Sequence, residues 1–423
     1  MSLLGQLLPL ILHGISRAVM DDLFWVVVLL IAFQYRRTNK EKERIAGMET
    51  KTLSLKNIFN SSGFIRDTLA ATGFGLLGGV LGSLLMVYIG LTLSGSGLLY
   101  LWPLAILLML IDARFLCFAY AGGILALSSL LLGFPRINIP QLIALVAVLH
   151  MVESVLILAS GHLGASPVYI KNRVGRIVGG FTLQKFWPIP LVGLLVVGQG
   201  AMVDGVDMPG WWPLIKSGLS GDPNSFIYTL LPVVAGLGYG DVAIARTPNQ
   251  KSRMSAFFLG LYSLILLLLA LVADRSRFLA LLAALFAPLG HELVIFIGKQ
   301  VELVSPPLYA AKGPGLMVLD VFPDTPAWRA GLRSGDSVVE INGRPVADRE
   351  SLDFLLETSY IVSELAYLKA GERQLRRVTV YLKPGQTFGI LPVPAGNEGE
   401  YVEIAAHSPL RRRLMNLWQK IRS

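Results

Sequence analysis

Long apolar runs broken by short polar loops fill the first 299 residues. A helix crossing the hydrocarbon core needs about 20 mostly apolar residues. Runs that meet or approach this length lie at 69–93, 98–111, 115–134, 139–160, 186–203, 225–245, 254–273 and 278–298. An earlier run, Leu23 to Tyr35, is short, so it either extends back across Asp21 and Asp22 or pairs with residues 3–16 as a hairpin. The pattern therefore predicts an all-α polytopic bundle of eight to ten spans. After residue 299 it changes to short β-rich runs separated by turn signals. Leu316 to Val321, Ser337 to Ile341, Arg377 to Leu382 and Phe388 to Val393 read as strands. Pro326 to Leu332 and Arg349 to Thr358 read as helices, the second with Leu352, Leu355 and Leu356 on one face. The predicted organisation is a transmembrane domain over 1–299, a small α+β domain over 300–396, and a basic tail over 397–423. In the tail, a helix starting at Ser408-Pro409 would set Leu410, Leu414, Leu417, Trp418 and Ile421 against an anionic leaflet, the alternative being a disordered basic tail.

Composition agrees with this division. The chain is 53% hydrophobic and 15% charged, with a mean hydropathy of +0.60, which excludes a soluble globular enzyme. The first 299 residues carry 36 charged side chains and the last 124 carry 29. The net charge of +9 sits mostly in loops beside apolar runs, where topology accounts for it better than nucleic-acid binding does. Seventeen basic residues fall in loops on one side of the predicted bundle and five on the other. This asymmetry predicts a cytoplasmic C-terminal domain. No Lys or Arg precedes the apolar residues 3–12, so the N-terminus is expected to remain attached. Gly75 and Gly79, with Gly78 and Gly82, have the spacing that lets helix backbones approach closely. Trp211 and Trp212 suit an interfacial belt on the outer side.

Ionisable groups within membrane spans are functional candidates because leaving them unpaired there is costly. Here they are His150, Glu153, Asp241, His291 and Glu292. The string GHELVI invites an intramembrane metalloprotease reading, which needs a second imidazole one turn after the first. The position four after His291 is Ile295. The sequence thus predicts no catalytic residues, no metal and no cofactor, with His150 and Glu153 cross-linking to His291 and Glu292 by hydrogen bonds. An intramembrane protease and a transporter are the alternatives, though no internal repeat of the transporter kind is visible. Cys117, the single cysteine, permits no intramolecular disulfide and suggests no metal site by spacing.

The string TPAWRAGLRSGDSVVEINGRPV, residues 325–346, resembles the core of bacterial PDZ domains of the HtrA and RseP type. The resemblance implies a groove closed by an apolar-Gly-apolar loop that holds a partner's C-terminal carboxylate. Two strings match, Gly315-Leu316-Met317 and Phe388-Gly389-Ile390. Since Leu316 to Val321 runs directly into the PAWRAGL helix, strand order favours the second. The expected peptide-binding set is Phe388, Gly389, Ile390, Leu391, Leu352 and Leu355, with the peptide adding as a strand.

A large multi-span region without an enzyme motif, followed by such a domain, resembles the MinJ-type adaptors of the bacterial division site. That resemblance implies a septal or polar membrane scaffold of the Min system, with DivIVA and MinD as protein partners.

Overall fold

A computed structural model of the chain describes residues 2–48, 62–172, 174–200, 205–216, 226–311, 313–358, 362–383, 386–396 and 402–403. Among the described residues, eight α-helices precede residue 305: α1 (Leu3–Met20), α2 (Asp22–Met48), α3 (Ser62–Ile89), α4 (Leu98–Met109), α5 (Phe118–Leu132), α6 (Ile139–Ser160), α7 (Pro248–Val272) and α8 (Arg277–Val304). Among the described residues, five helical segments are long and apolar enough to cross a membrane: Leu3–Met20, Gly63–Ile89, Ile139–Ser160, Pro248–Arg275 and Arg277–Val304. Leu98–Met109 and Phe118–Leu132 are shorter apolar helices. Near the N-terminus the chain takes the hairpin option, with α1 and α2 meeting at Asp21. Helix α6 is the hub; most of its residues from Gln141 to Ile157 are buried, and α3, α5, α7 and α8 pack around it.

The runs 186–203 and 225–245 correct the expectation of eight to ten helical spans. They fold as a long antiparallel hairpin, β2 (Ile177–Gln199) with β3 (Phe226–Ala243). The cause is legible in Trp187-Pro188-Ile189-Pro190: alternate prolines interrupt helical hydrogen bonding, whereas a strand edge tolerates them. The even-numbered residues of β2 turn their backbone groups toward α3 and its neighbours. Phe186 exchanges hydrogen bonds with the Tyr35 hydroxyl. Pro188 and Pro190 have no N–H to satisfy, and their carbonyls lie against Gly75 and Gly79 of α3, where a Cβ would overlap them. Val192 N–H donates to Ser83 Oγ at 2.8 Å, Leu194 accepts from Leu93 N–H at 2.7 Å, and Val196 N–H donates to Ser94 Oγ at 3.2 Å. An apolar surrounding offers no water to an open strand edge, so this pairing is what makes the strand tenable there. The glycine stripe thus serves a helix-to-strand approach on one side, while Gly78 and Gly82 face Val152 and Leu156 of α6 and Leu191 of β2.

At the far end of the hairpin, Trp212 donates to the Val87 carbonyl and Leu214 N–H to that of Ile89. Trp212 is therefore buried against the end of α3, and Trp211 stays exposed, so one of the two indoles expected at the interface is a packing residue. At the near end, β1 (Ser166–Lys171) pairs with β2, completing a sheet of order β10-β1-β2-β3 with the later strand β10 (Val402–Glu403).

The C-terminal module contains β4 (Leu316–Val321), α9 (Pro326–Arg329), β5 (Ser337–Ile341), β6 (Arg344–Pro345), α10 (Arg349–Glu357), β7 (Val362–Leu368), β8 (Leu375–Tyr381) and β9 (Ile390–Pro392). Its sheet order is β8-β7-β5-β4-β9, with β6 on β5. The Asn342-Gly343 turn has positive φ at both residues, as a tight hairpin turn requires. The module rests on the bundle: Tyr309 accepts from Gly179 N–H and packs edge-on to Phe181, and Leu319 and Leu391 join the bundle's hydrophobic core. The amphipathic tail helix expected after Ser408 lies outside the described residues.

Candidate functional site

Three segments converge on the centre of the bundle. Asp112 caps the short turn Ala113–Leu116, whose end places Cys117 as the N-cap of α5. Helix α6 brings His150, buried at 2% exposure, and α8 brings His291. Cys117 Sγ lies 3.0 Å from His150 Nε2 and 3.6 Å from His291 Nε2. The two imidazoles meet edge-on with ring centroids 5.2 Å apart, and Tyr262 of α7 lies edge-on to both. His150 Nδ1 is 2.7 Å from the Val146 carbonyl. A carbonyl only accepts, so Nδ1 carries the proton and Nε2 presents its lone pair to the thiol. His291 Nδ1 stands 3.5 Å from the Tyr120 hydroxyl, which itself donates to Glu292 Oε2 at 2.6 Å. Arg114 grips the other carboxylate oxygen of Glu292 at 2.7 Å.

The expected cross-link is thus rearranged. His150 and His291 do come together, but through Cys117, and Glu292 pairs with Arg114 and Tyr120. Glu153 has no hydrogen bond or ion pair among the described residues. Sequence reasoning missed Cys117, Tyr120 and Arg114. Separations of 33 and 174 residues between the thiol and its imidazoles leave no short motif to find. Ile295 occupies the position one turn after His291, and Ser154 the position one turn after His150, its hydroxyl bonded to the Met151 carbonyl.

Asp241 belongs elsewhere. It lies on β3 near the junction with the C-terminal module and pairs with the fully buried Lys251 at 3.2 Å. Lys251 Nζ also donates to the Gly298 carbonyl, and Ser255 and Tyr239 donate to Asp241. Nearby, Glu302 accepts from the backbone of Ile244 and Ala245 and from Arg246. Asp241, Ile244, Gly298 and Glu302 line a cavity of about 280 Å³ between the hairpin and α8.

In the C-terminal module, β4 has neighbours on both sides whereas β9 is the edge of its sheet. Gly389 and Val393 bond to β4 through Phe322 and Met317, so by strand alternation Ile390 turns its N–H and C=O the other way. Pro392, on that same side, accepts from the Tyr169 hydroxyl of β1 at 3.0 Å. Phe388, Ile390, Leu352 and Leu355 share one core and are all buried. They belong to one packed core, so a bound peptide must displace part of it to seat a side chain. Leu391 departs from the expected groove set: it points to the opposite face and is buried against the bundle. Gly389 is also required by the fold itself. Its φ is +89°, and a Cβ would overlap Thr325. Gly315, at φ +81°, would meet the Val338 carbonyl in the same way. A valine at either glycine would disturb folding before it reported on a peptide.

Comparison with known proteins bears on both halves. A PDZ domain family model matches residues 317–359. The cell division topological determinant MinJ of Bacillus subtilis (strain 168) is 25% identical over 406 residues, covering 90% of this chain and 95% of MinJ. The chain resembles MinJ along nearly its whole length. It also carries a PDZ domain at its C-terminal end. The mouse serine protease HTRA3 is 32% identical over 81 residues, and the putative serine protease HhoA of Synechocystis is 39% identical over 62. These stretches cover 18% and 16% of the two proteases, so the likeness is confined to one domain. No solved structure matches the chain. The apolar helices and the MinJ likeness together make this a membrane protein.

Proposed function

We propose that this protein is a multi-pass membrane adaptor of the cell-division site, without enzymatic activity, whose PDZ domain faces the cytoplasm and holds protein partners by strand addition at β9. The observation that carries the reading is that the MinJ likeness runs through bundle and PDZ domain alike, covering 90% of the chain. The seventeen-to-five basic asymmetry supports the orientation. Exchanging two helical spans for one hairpin leaves it unchanged, because a hairpin also leaves and returns on the same side. DivIVA and MinD, the partners implied by the MinJ resemblance, are the first to test. The PDZ edge supplies main-chain hydrogen bonds and α10 sets side-chain preference. A fluorescent fusion after Ser423 tests the reading: it should light the septum or poles and retain DivIVA or MinD on purification. Uniform membrane fluorescence with neither partner retained would refute it.

A further inference from the structure

We propose that Cys117, His150 and His291 form a binding site for a single thiophilic divalent cation, zinc foremost, at the centre of the bundle. The three ligand atoms lie within 4.8 Å of one another and come from separate segments. A tetrahedral zinc, with Zn–S about 2.3 Å and Zn–N about 2.0–2.1 Å, separates sulfur from nitrogen by about 3.6 Å and the two nitrogens by about 3.3 Å. The observed Sγ to Nε2 distances of 3.0 and 3.6 Å need only sub-ångström adjustment.

Hydrogen-bond arithmetic points the same way. The Val146 carbonyl fixes the proton of His150 on Nδ1. Tyr120 gives its own proton to Glu292, so its oxygen is left to accept from Nδ1 of His291. Both Nε2 lone pairs then aim at one sulfur that carries a single proton. One imidazole lone pair is then left without a proton to accept from the thiol. A cation satisfies all three atoms at once and displaces the thiol proton to solvent. The outer partners are those that orient metal-bound imidazoles: a carbonyl behind His150, and a tyrosine backed by a carboxylate behind His291. Ala119 N–H, 3.4 Å from Sγ, adds a donor to the sulfur. With neutral imidazoles and one thiolate, a divalent ion retains one positive charge. Glu153 lies one helical turn from His150 on α6. Such a site ties the start of α5, the hub helix α6 and α8 together at a place distinct from the PDZ groove, and its fourth position falls to a water or hydroxide that enters with the ion.

The test uses the full chain purified in detergent, stripped with a chelator and titrated with cobalt(II). The expected result is one equivalent bound, with a thiolate-to-metal charge-transfer band and tetrahedral d–d absorption, both reversed by zinc. Cys117→Ser should abolish the charge-transfer band, and His291→Ala should weaken binding about tenfold or more. A second measurement needs no variant. Since the chain has one cysteine, a small maleimide reports on Cys117 alone, and zinc should slow its labelling about tenfold relative to chelator-treated protein. Overturning results are cobalt bound without a thiolate band, zinc retained fully by folded Cys117→Ser, or labelling indifferent to zinc.

Discussion

Replacing Gly79 with valine tests whether the apolar hairpin truly lies against α3. A Cβ at residue 79 falls on the Pro190 carbonyl oxygen. Carbon and carbonyl oxygen need about 3.3 Å, so α3 must retreat from β2 by on the order of an ångström. Four residues on, that retreat stretches the 2.8 Å bond from Val192 N–H to Ser83 Oγ. A backbone donor left unsatisfied in an apolar site costs about 1–3 kcal/mol, and the lost packing of Leu191 and Val152 against Gly82 adds about 1 kcal/mol more. The expected loss is about 2–4 kcal/mol, with Ser83→Ala giving the hydrogen-bond part alone. The control is Gly73→Ala, where nothing lies within 4 Å of a Cβ. Thermal unfolding of the detergent-solubilised protein, followed by limited proteolysis, reads the order Gly73→Ala, Ser83→Ala, Gly79→Val from least to most destabilised. A Gly79→Val protein as stable as Gly73→Ala would refute the packing and revive two helical spans.

Other consequences are testable in the same preparation. Lys251→Met leaves Asp241 without its cation and should cost about 3 kcal/mol, with Lys251→Met/Asp241→Asn recovering part of the loss in the same melt. Ile390→Pro removes an N–H directed away from β4 together with part of a buried core side chain, so the PDZ domain should lose about 1–3 kcal/mol of stability while peptide affinity of the folded fraction, read by fluorescence anisotropy, falls about tenfold. In α10, the Ser351 backbone N–H and then its hydroxyl hold the Asp348 carboxyl below the usual aspartate value of about 3.9. A depressed folded value stabilises above the unfolded pKa and is lost as pH falls through the folded one. Amide protection at Ser351 and Leu352 should therefore weaken under acid in the wild type and lose that pH dependence in Asp348→Asn.

The PDZ domain was legible in detail because its signals are local. Leu316 to Val321 and Ser337 to Ile341 are strands at the expected bounds, and Gly331 and Asn342-Gly343, all at positive φ, stop or turn the chain after the short helix and the second of these strands. Strand β7 was not anticipated, because Glu364-Leu365-Ala366 favours helix by propensity and burial alternates only from Val362 to Leu365, the first of three consecutive buried residues. In the bundle, 139–160 has the expected ends, but hydropathy alone cannot separate an apolar strand from an apolar helix. The alternate prolines at 188 and 190 held the answer. His150 and His291 could be named as polar residues in apolar helices, whereas their meeting at Cys117 depends on how α5, α6 and α8 pack, and no spacing in the chain encodes that. The groove residues divided for a simpler reason: alternate side chains of a strand face opposite ways, which sent Ile390 to the PDZ core and Leu391 to the bundle.

The adaptor claim is tested most directly by photo-crosslinking in living cells from a photoreactive amino acid placed at Phe354, an exposed ring on α10 at 60% accessibility. The account predicts adducts with cytoplasmic division proteins, DivIVA or MinD among them, that disappear when Ile390→Pro is combined with the probe. Adducts only with extracytoplasmic proteins, or partner adducts unaffected by Ile390→Pro, would contradict it.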